Sequence, residues 1–384
     1  MTANNNALSI TIGPRVRKSP YYDATLRYGA KSFTIYNHMY MPTMYSSPVE
    51  EYWSLVEGVT LWDVAGQRQI EITGPDALQF VQLLTPRDLS NCKTGQCLYV
   101  LLTDEDGGII NDAVLLVLGP QQFWLSPGDG GILLWALGAA VNSGLDVTVV
   151  EPDVSPLQLQ GPKSPQVAQA LLGEWVLDLE YYWARETELD GIPLVVSRTG
   201  WSGELGYELY LRDRRFGDAL WDKIMAAGRA FGIKPIAPNQ IRSIEGALLS
   251  HGSDITLEDN PFVLGLERLV SLDKEDGFIG QKALQKIKAE GVKRRLVGVE
   301  LQCAPLPASN EEPWPVSVNG DVVGRISRCA HSPRLEKNIG FANVPVEYAE
   351  PGTRLMIAIP GGDAEAIVVN APWMQAHKVI PRVG

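Results

Sequence analysis

Hydrophobic and polar positions alternate through Tyr207, Glu208, Leu209, Tyr210 and Leu211, which predicts a strand carrying Glu208 and Tyr210 on one face. Val195 and Val196 close an earlier strand, and the glycines of the intervening RTGWSGELG give a hairpin loop its backbone freedom. The same period of two runs through Ile70 and Ile72, breaks at Gly74-Pro75, and gives way to the helical spacing of DALQFVQLL. CLYVLLTDEDGGIINDAVLLVLG reads as strand, acidic glycine turn and strand. QQFWLSPGDGGILLWALGAAV and LDVTVVEPDVSPLQLQGPKSPQVAQALLG each read as strand followed by helix. Helices are also expected from Pro48 to Val56, capped by the preceding serines, at FGDALWDKIMAAGRAFG, and in PIAPNQIRSIEGALLSHGSDIT, where Arg242 and Glu245 lie one turn apart. From Arg294 onward, short alternating segments between glycine and proline turns predict a small β-barrel or sandwich, joined through a linker near DGFIGQKALQKIKAEGVKRR. Direct strand-to-strand hairpins place the fold in the α+β class and not among doubly wound parallel sheets.

At 384 residues the chain exceeds one ordinary core, so roughly two or three domains are expected. A composition of 45% hydrophobic and 20% charged residues is that of a soluble globular protein. No apolar run is long enough to span a bilayer, and the start MTANNNALSITIGPRVRKSP lacks the apolar core of a signal peptide, so the cytoplasm is the expected compartment and no membrane partner is expected. The four cysteines, Cys92, Cys97, Cys303 and Cys329, show no paired metal spacing, and a disulfide framework is not expected in so large a chain. With 33 basic against 45 acidic residues the net charge is −12, which repels a phosphate backbone and argues against nucleic acid as a partner.

Several chemistries fall to spacing. SPGDGGILL lacks the third glycine and downstream acid of a dinucleotide fingerprint, and no GxxxxGK[ST] or GxSxG occurs. His38, His251, His331 and His377 are scattered without zinc-ligand spacing, so no metal site is expected. Two carboxylates stand out instead. Asp112 sits in an otherwise apolar strand, where a charge costs several kcal/mol unless something pairs with it, and Glu208 lies between Tyr207 and Leu209. Each is either a solvated strand residue or part of a binding site.

The set GGIINDAVLL, SRTGWSGELGYELYL, RSIEGALLSHGSDITLEDNPFVLGL, FIGQKAL and the late HSP resembles the aminomethyltransferase (glycine cleavage T-protein) superfamily of tetrahydrofolate enzymes. The resemblance covers nearly the whole chain. Within that superfamily RVRKSPYYDATLRYGAKSFTIYNHM, LWDVAGQRQIEITGPDALQFVQLLTPRDLS and Trp201, in place of the usual tyrosine, look most like the dimethylsulfoniopropionate demethylases. It implies a three-domain arrangement around a central folate pocket: 1–50 with 143–265 as a discontinuous folate-binding α+β domain, 51–142 as a second α+β domain, and 285–384 as a C-terminal β-barrel domain. Two departures leave the donor open: Ser202-Gly203-Glu204-Leu205-Gly206 is closer to the T-protein pattern than to that of the demethylases, and His251 stands where a tyrosine is usual.

The resemblance also implies roles. Asp112 lies near folate N5, Tyr99 contacts the folate, and Glu208 takes pterin N–H groups in a bidentate pair. Glu204 and Arg242 are further folate-binding candidates, although Glu204 as a surface acid and Arg242 as a partner of Glu245 are the plainer alternatives. Trp201 and Tyr210 are candidate aromatic faces for a cationic donor, with Tyr36 and His38 as further substrate contacts; each has a structural role as its alternative. The implied activity is methyl transfer from a small cationic donor, dimethylsulfoniopropionate first among them, to N5 of tetrahydrofolate, giving 3-methylthiopropionate. The alternatives are a folate-binding protein without catalysis and an enzyme acting on glycine betaine, dimethylglycine or a methoxyaromatic donor.

Overall fold

Alternation at Ile192–Ser197 and Gly206–Leu211 does form a hairpin, and it lies near one side of a six-stranded sheet; the computed structural model describes residues 12–380. The strand order is Ala184–Leu189, Ile192–Ser197, Gly206–Leu211, Ser155–Gln160, Thr60–Asp63, Lys234–Pro235. Neighbours are antiparallel except the last pair. Tyr207, Leu209 and Leu211 point to a core shared with helices Ser164–Leu172 and Gly217–Gly228, through Val167, Trp221 and Ile224. The opposite face carries Glu208 and Tyr210, and the period of two separates the two faces as the sequence requires.

A second, antiparallel sheet runs Cys97–Thr103, Ile109–Gly119, Gln122–Pro127, Ile70–Thr73, Thr148–Val150. Helices Ala77–Leu84 and Ile132–Ser143 cover one face, where Val100, Leu102, Ala113 and Leu115 are buried. The other face meets the first sheet: Cys97, Leu116 and Trp124 pack against Ala184, Val195 and Tyr210. Cys97 N–H donates to the Tyr182 carbonyl at 2.7 Å and Ala184 N–H to that of Gly95 at 2.6 Å, so backbone bonds stitch the sheets together.

The C-terminal unit is a closed barrel of Arg294–Leu301, Lys337–Pro345, Asp321–Ser332, Trp314–Val318, Arg354–Ile359 and Gly362–Val369. Closure removes the open edges that the short strands would otherwise present. The segment expected as a linker is a packed helix, Gln281–Glu290, anchored by fully buried Leu284 against Phe262 and Phe278. The helix expected around Arg242 is only Gln240–Glu245: Asn239 caps the Arg242 N–H, and Ala247 at φ 51° turns the chain away.

Sheet membership shifts two of the expected boundaries. Thr60–Asp63, expected in the second unit, pairs with Ser155–Gln160 in the first sheet, and Thr148–Val150, expected in the first unit, is the edge of the second. Both pairings join segments far apart in the chain, which local alternation does not encode. Residues 1–11 and 381–384, including the start of the chain read above for a signal peptide, lie outside the described residues. Among the described residues no helix is long and apolar enough to cross a membrane.

Candidate functional site

The hairpin loop is built around one amide. Gln160 Nε2 donates to the Thr199 and Tyr207 carbonyls, both at 3.2 Å, and its Oε1 accepts from Ser202 Oγ at 2.6 Å. A Cβ at Gly200 or Gly206 would fall inside van der Waals contact with that amide, which is why the loop is glycine-rich. The loop thereby holds Thr199 over Glu208. Glu208 is 3% exposed; its Oε1 accepts from Gln158 Nε2 at 2.9 Å, and its Oε2 accepts from Thr199 Oγ1 and from Tyr210 OH at 3.2 Å. All these donors are neutral. Burial pushes the Glu208 carboxyl upward in pKa, only partly offset by the hydrogen bonds from Thr199, Gln158 and Tyr210.

On the second sheet Tyr99 OH donates to Asp112 Oδ2 at 2.9 Å. Asp112 Oδ1 is buried and has no hydrogen-bond partner. Burial raises the Asp112 pKa, while Tyr99 and the neighbouring His251 pull it back. His251 is fixed by its Nε2 at 2.8 Å from the Ile110 carbonyl, and its Nδ1 is likewise buried without a partner.

The two-stranded hairpin Ser32–Tyr36 and Met39–Met44 reaches the same place. Its two turn residues, Asn37 and His38, both have positive φ, 52° and 61°, as a tight primed turn requires. The tip docks on the loop after Pro127: Asn37 N–H donates to Asp129 Oδ1 at 2.8 Å, and the Asn37 side chain binds the backbone at Gly128 and Gly130, each at 3.3 Å. Tyr36 is thereby held beside Asp112 and Asp129; burial first, then both acids, raise its phenol.

Trp201 is half-buried, with its indole N–H donating to the Leu249 carbonyl at 3.1 Å. The Arg328 guanidinium carbon lies 5.5 Å from the Trp201 ring centre. Arg328 is itself tied to Asp254, Ser243 and the Leu248 carbonyl.

Residues 21–274 match the family model for the GCVT N-terminal domain, and 294–375 that for the glycine cleavage T-protein C-terminal barrel domain. The chain belongs to the glycine cleavage T-protein family. This is a family of tetrahydrofolate-dependent methyl and aminomethyl transferases, so the chain is an enzyme. The chain is 35% identical to the dimethylsulfoniopropionate demethylase DmdA of Ruegeria pomeroyi, over 95% of this chain and 99% of that protein. It is 33% identical to an aminomethyltransferase of Symbiobacterium thermophilum, over 94% of this chain and 98% of that one. The crystal structure of the glycine cleavage aminomethyltransferase T from Bartonella henselae superposes with a TM-score of 0.86 at 24% identity, covering 95% and 99% of the two chains, and shows the fold to be the same.

Three of the candidate residues have side chains engaged elsewhere, and a fourth is exposed. Glu204 and Arg242 form a buried ion pair at 2.7 Å; the second Glu204 oxygen is 2.7 Å from His377 Nδ1, and Arg242 also lies 3.8 Å from Glu245. Both Glu204 oxygens are thereby taken up, while Arg242 Nη1 is buried without a partner. Tyr210 is fully buried, its ring 6.1 Å from that of Trp124, so it supports Glu208 and offers no face to a cation. His38 is exposed at the hairpin turn, where its carbonyl accepts the Arg17 N–H at 2.8 Å. The sequence reading also missed Gln158 and Thr199, which hold Glu208, and marked His251 only as a departure that leaves the donor open. The signal for Gln158 was present: two glutamines alternate within the fully buried strand SPLQLQ.

Proposed function

We propose that this chain transfers a methyl group from a small sulfonium donor, dimethylsulfoniopropionate, to N5 of tetrahydrofolate, leaving 3-methylthiopropionate. The observation that carries the reading is the pair of buried carboxylates, Asp112 and Glu208, hydrogen-bonded only by neutral groups. A buried carboxylate without a counter-charge is costly, and a ligand that brings N–H donors and a positive charge relieves that cost. The unpartnered Asp112 Oδ1 is an acceptor left open for such a ligand.

Bound tetrahydrofolate would supply the nucleophilic nitrogen. Glu208, oriented by Gln158, Thr199 and Tyr210, would receive the pterin N–H groups, a charge-assisted contact strengthened by its dry surroundings. Asp112, set by Tyr99, would face the reacting centre and favour the donor's positive charge. Tyr36 and the docked hairpin tip would cover this end of the site from water, and Trp201 would line it with the ring face not occupied by Arg328. A sulfonium leaves as a neutral thioether, so alignment of the two reactants is the main demand on the protein; it can contribute up to about 7–11 kcal/mol. The 35% identity to a dimethylsulfoniopropionate demethylase over nearly the full length favours this donor over the aminomethyl group of the other relatives.

The test is incubation with tetrahydrofolate and, in parallel, dimethylsulfoniopropionate, glycine betaine, dimethylglycine and a methoxyaromatic acid, following 5-methyltetrahydrofolate. Turnover of the sulfonium is expected. Turnover of the neutral methoxyaromatic alone overturns the cationic donor, and tight folate binding without turnover of any overturns catalysis by methyl transfer.

A further inference from the structure

His251 and Asp112 flank one glycine. A Cβ added to Gly128 would sit 3.0 Å from His251 Cβ and 3.5 Å from Asp112 Oδ1, so the two side chains converge on the same small space. The strand Ile109–Gly119 supplies both the Asp112 carboxylate and, through the Ile110 carbonyl, the clamp on the imidazole. A carbonyl only accepts, so at 2.8 Å His251 Nε2 carries the hydrogen and Nδ1 in the neutral ring is a bare lone pair. That lone pair and Asp112 Oδ1 are both buried and both without a partner. Two shielded acceptors left open around one glycine cost stability unless a donor reaches them.

We infer that His251 is the proton acceptor of this site, its Nδ1 taking the N–H proton of a secondary-amine nucleophile as that nitrogen is alkylated. This rests on the methyl-transfer reading above. The nitrogen lone pair forms the new N–C bond, the C–S bond of the sulfonium breaks with its electron pair going to sulfur, and the proton left on the cationic nitrogen passes to Nδ1. The resulting imidazolium stands beside the Asp112 carboxylate, which stabilises it. The loop fixes the ring in place: Ser250 N–H donates to Asp254 Oδ2 at 2.9 Å, Gly252 N–H to the Ile255 carbonyl at 2.9 Å, and Asp254 is neutralised by Arg328 at 2.6 Å. The other titratable groups facing the site are Tyr99 from the second sheet, Tyr36 from the docked hairpin and Asp129 from the loop beneath it.

The test begins on the unliganded enzyme. In protein labelled with 15N-histidine, which has only four histidines, the resonance missing from His251→Gln should show the tautomer protonated at Nε2, and Asp112→Asn should shift it. In turnover, His251→Gln should lower kcat about 100-fold while folate affinity stays within a few-fold, and should abolish the acid limb of the kcat profile. A ring protonated at Nδ1, or a His251→Gln enzyme with wild-type kcat and an intact acid limb, overturns the inference. If no donor is turned over, the methyl-transfer reading fails, and the tautomer and its response to Asp112→Asn still decide whether His251 presents an open acceptor.

Discussion

Arg328 of the barrel places its guanidinium 5.5 Å from the ring centre of Trp201 in the hairpin loop, so one face of that tryptophan already carries a cation supplied by the protein itself. The contact joins the C-terminal barrel to the candidate site. It also limits what Trp201 can offer a cationic donor, because a second positive charge on the same face would be repelled.

The first expectation follows from that contact. Arg328→Met leaves Asp254, 2% exposed, as a buried carboxylate without its partner, and should cost about 3–5 kcal/mol in denaturant unfolding. Arg328→Lys keeps the charge, loses the fork, and should fall between the two. A loss below about 1 kcal/mol for the methionine variant would show that Asp254 finds another counter-charge.

The two carboxylates should separate chemistry from binding. Asp112→Asn keeps the shape and loses the charge that the proposed mechanism sets at the reacting centre, so kcat should fall on the order of 100-fold with folate Kd little changed. Glu208→Gln puts an NH2 where Gln158, Thr199 and Tyr210 now donate, so folate Kd should rise roughly 10- to 100-fold. Isothermal titration with tetrahydrofolate beside steady-state kinetics distinguishes the two patterns; the reverse pattern would exchange their roles.

Gly206→Ala tests the loop architecture. A methyl group there meets the Gln160 amide, which binds Thr199, Ser202 and Tyr207, so the loop must shift and carry Thr199 off Glu208. Stability should fall by about 1–3 kcal/mol. Folate affinity should fall with it, and an alanine variant with unchanged affinity would uncouple the loop from the site.

Asp63 gives a pH dependence. It is 2% exposed, and burial lifts its carboxyl to about 6 although Ser19 and the Ala65 N–H donate to it. Between the unfolded value of about 4 and the folded value of about 6 the native state binds the extra proton, so stability falls as pH rises through that window. The shift corresponds to a loss on the order of 3 kcal/mol, complete above the folded pKa. The stability difference between wild type and Asp63→Asn should therefore move toward the variant from about pH 4 to about pH 7, and chemical denaturation across that range measures it. A difference that stays flat with pH would place the Asp63 titration outside the folding equilibrium.

The sequence by itself determined the α+β class, the strand faces and the chemical oddity of Asp112 and Glu208, because these depend on local alternation and on the cost of a charge in an apolar strand. That Tyr210 and Glu208 share one face followed from their spacing in one strand, and the bond between them did not. Only the tertiary structure decided the partners. Glu204 and Arg242, set apart in the chain, close on each other because the helix Gln240–Glu245 docks behind the hairpin loop, and burial makes each the charge partner the other needs. Tyr210 lost its place as a cation seat when the second sheet brought Trp124 against it. The Ile110 carbonyl, on a strand distant in sequence, fixes which of the His251 nitrogens is left open near Asp112. Pairings between distant segments are set by the packing of whole sheets, which no local period contains.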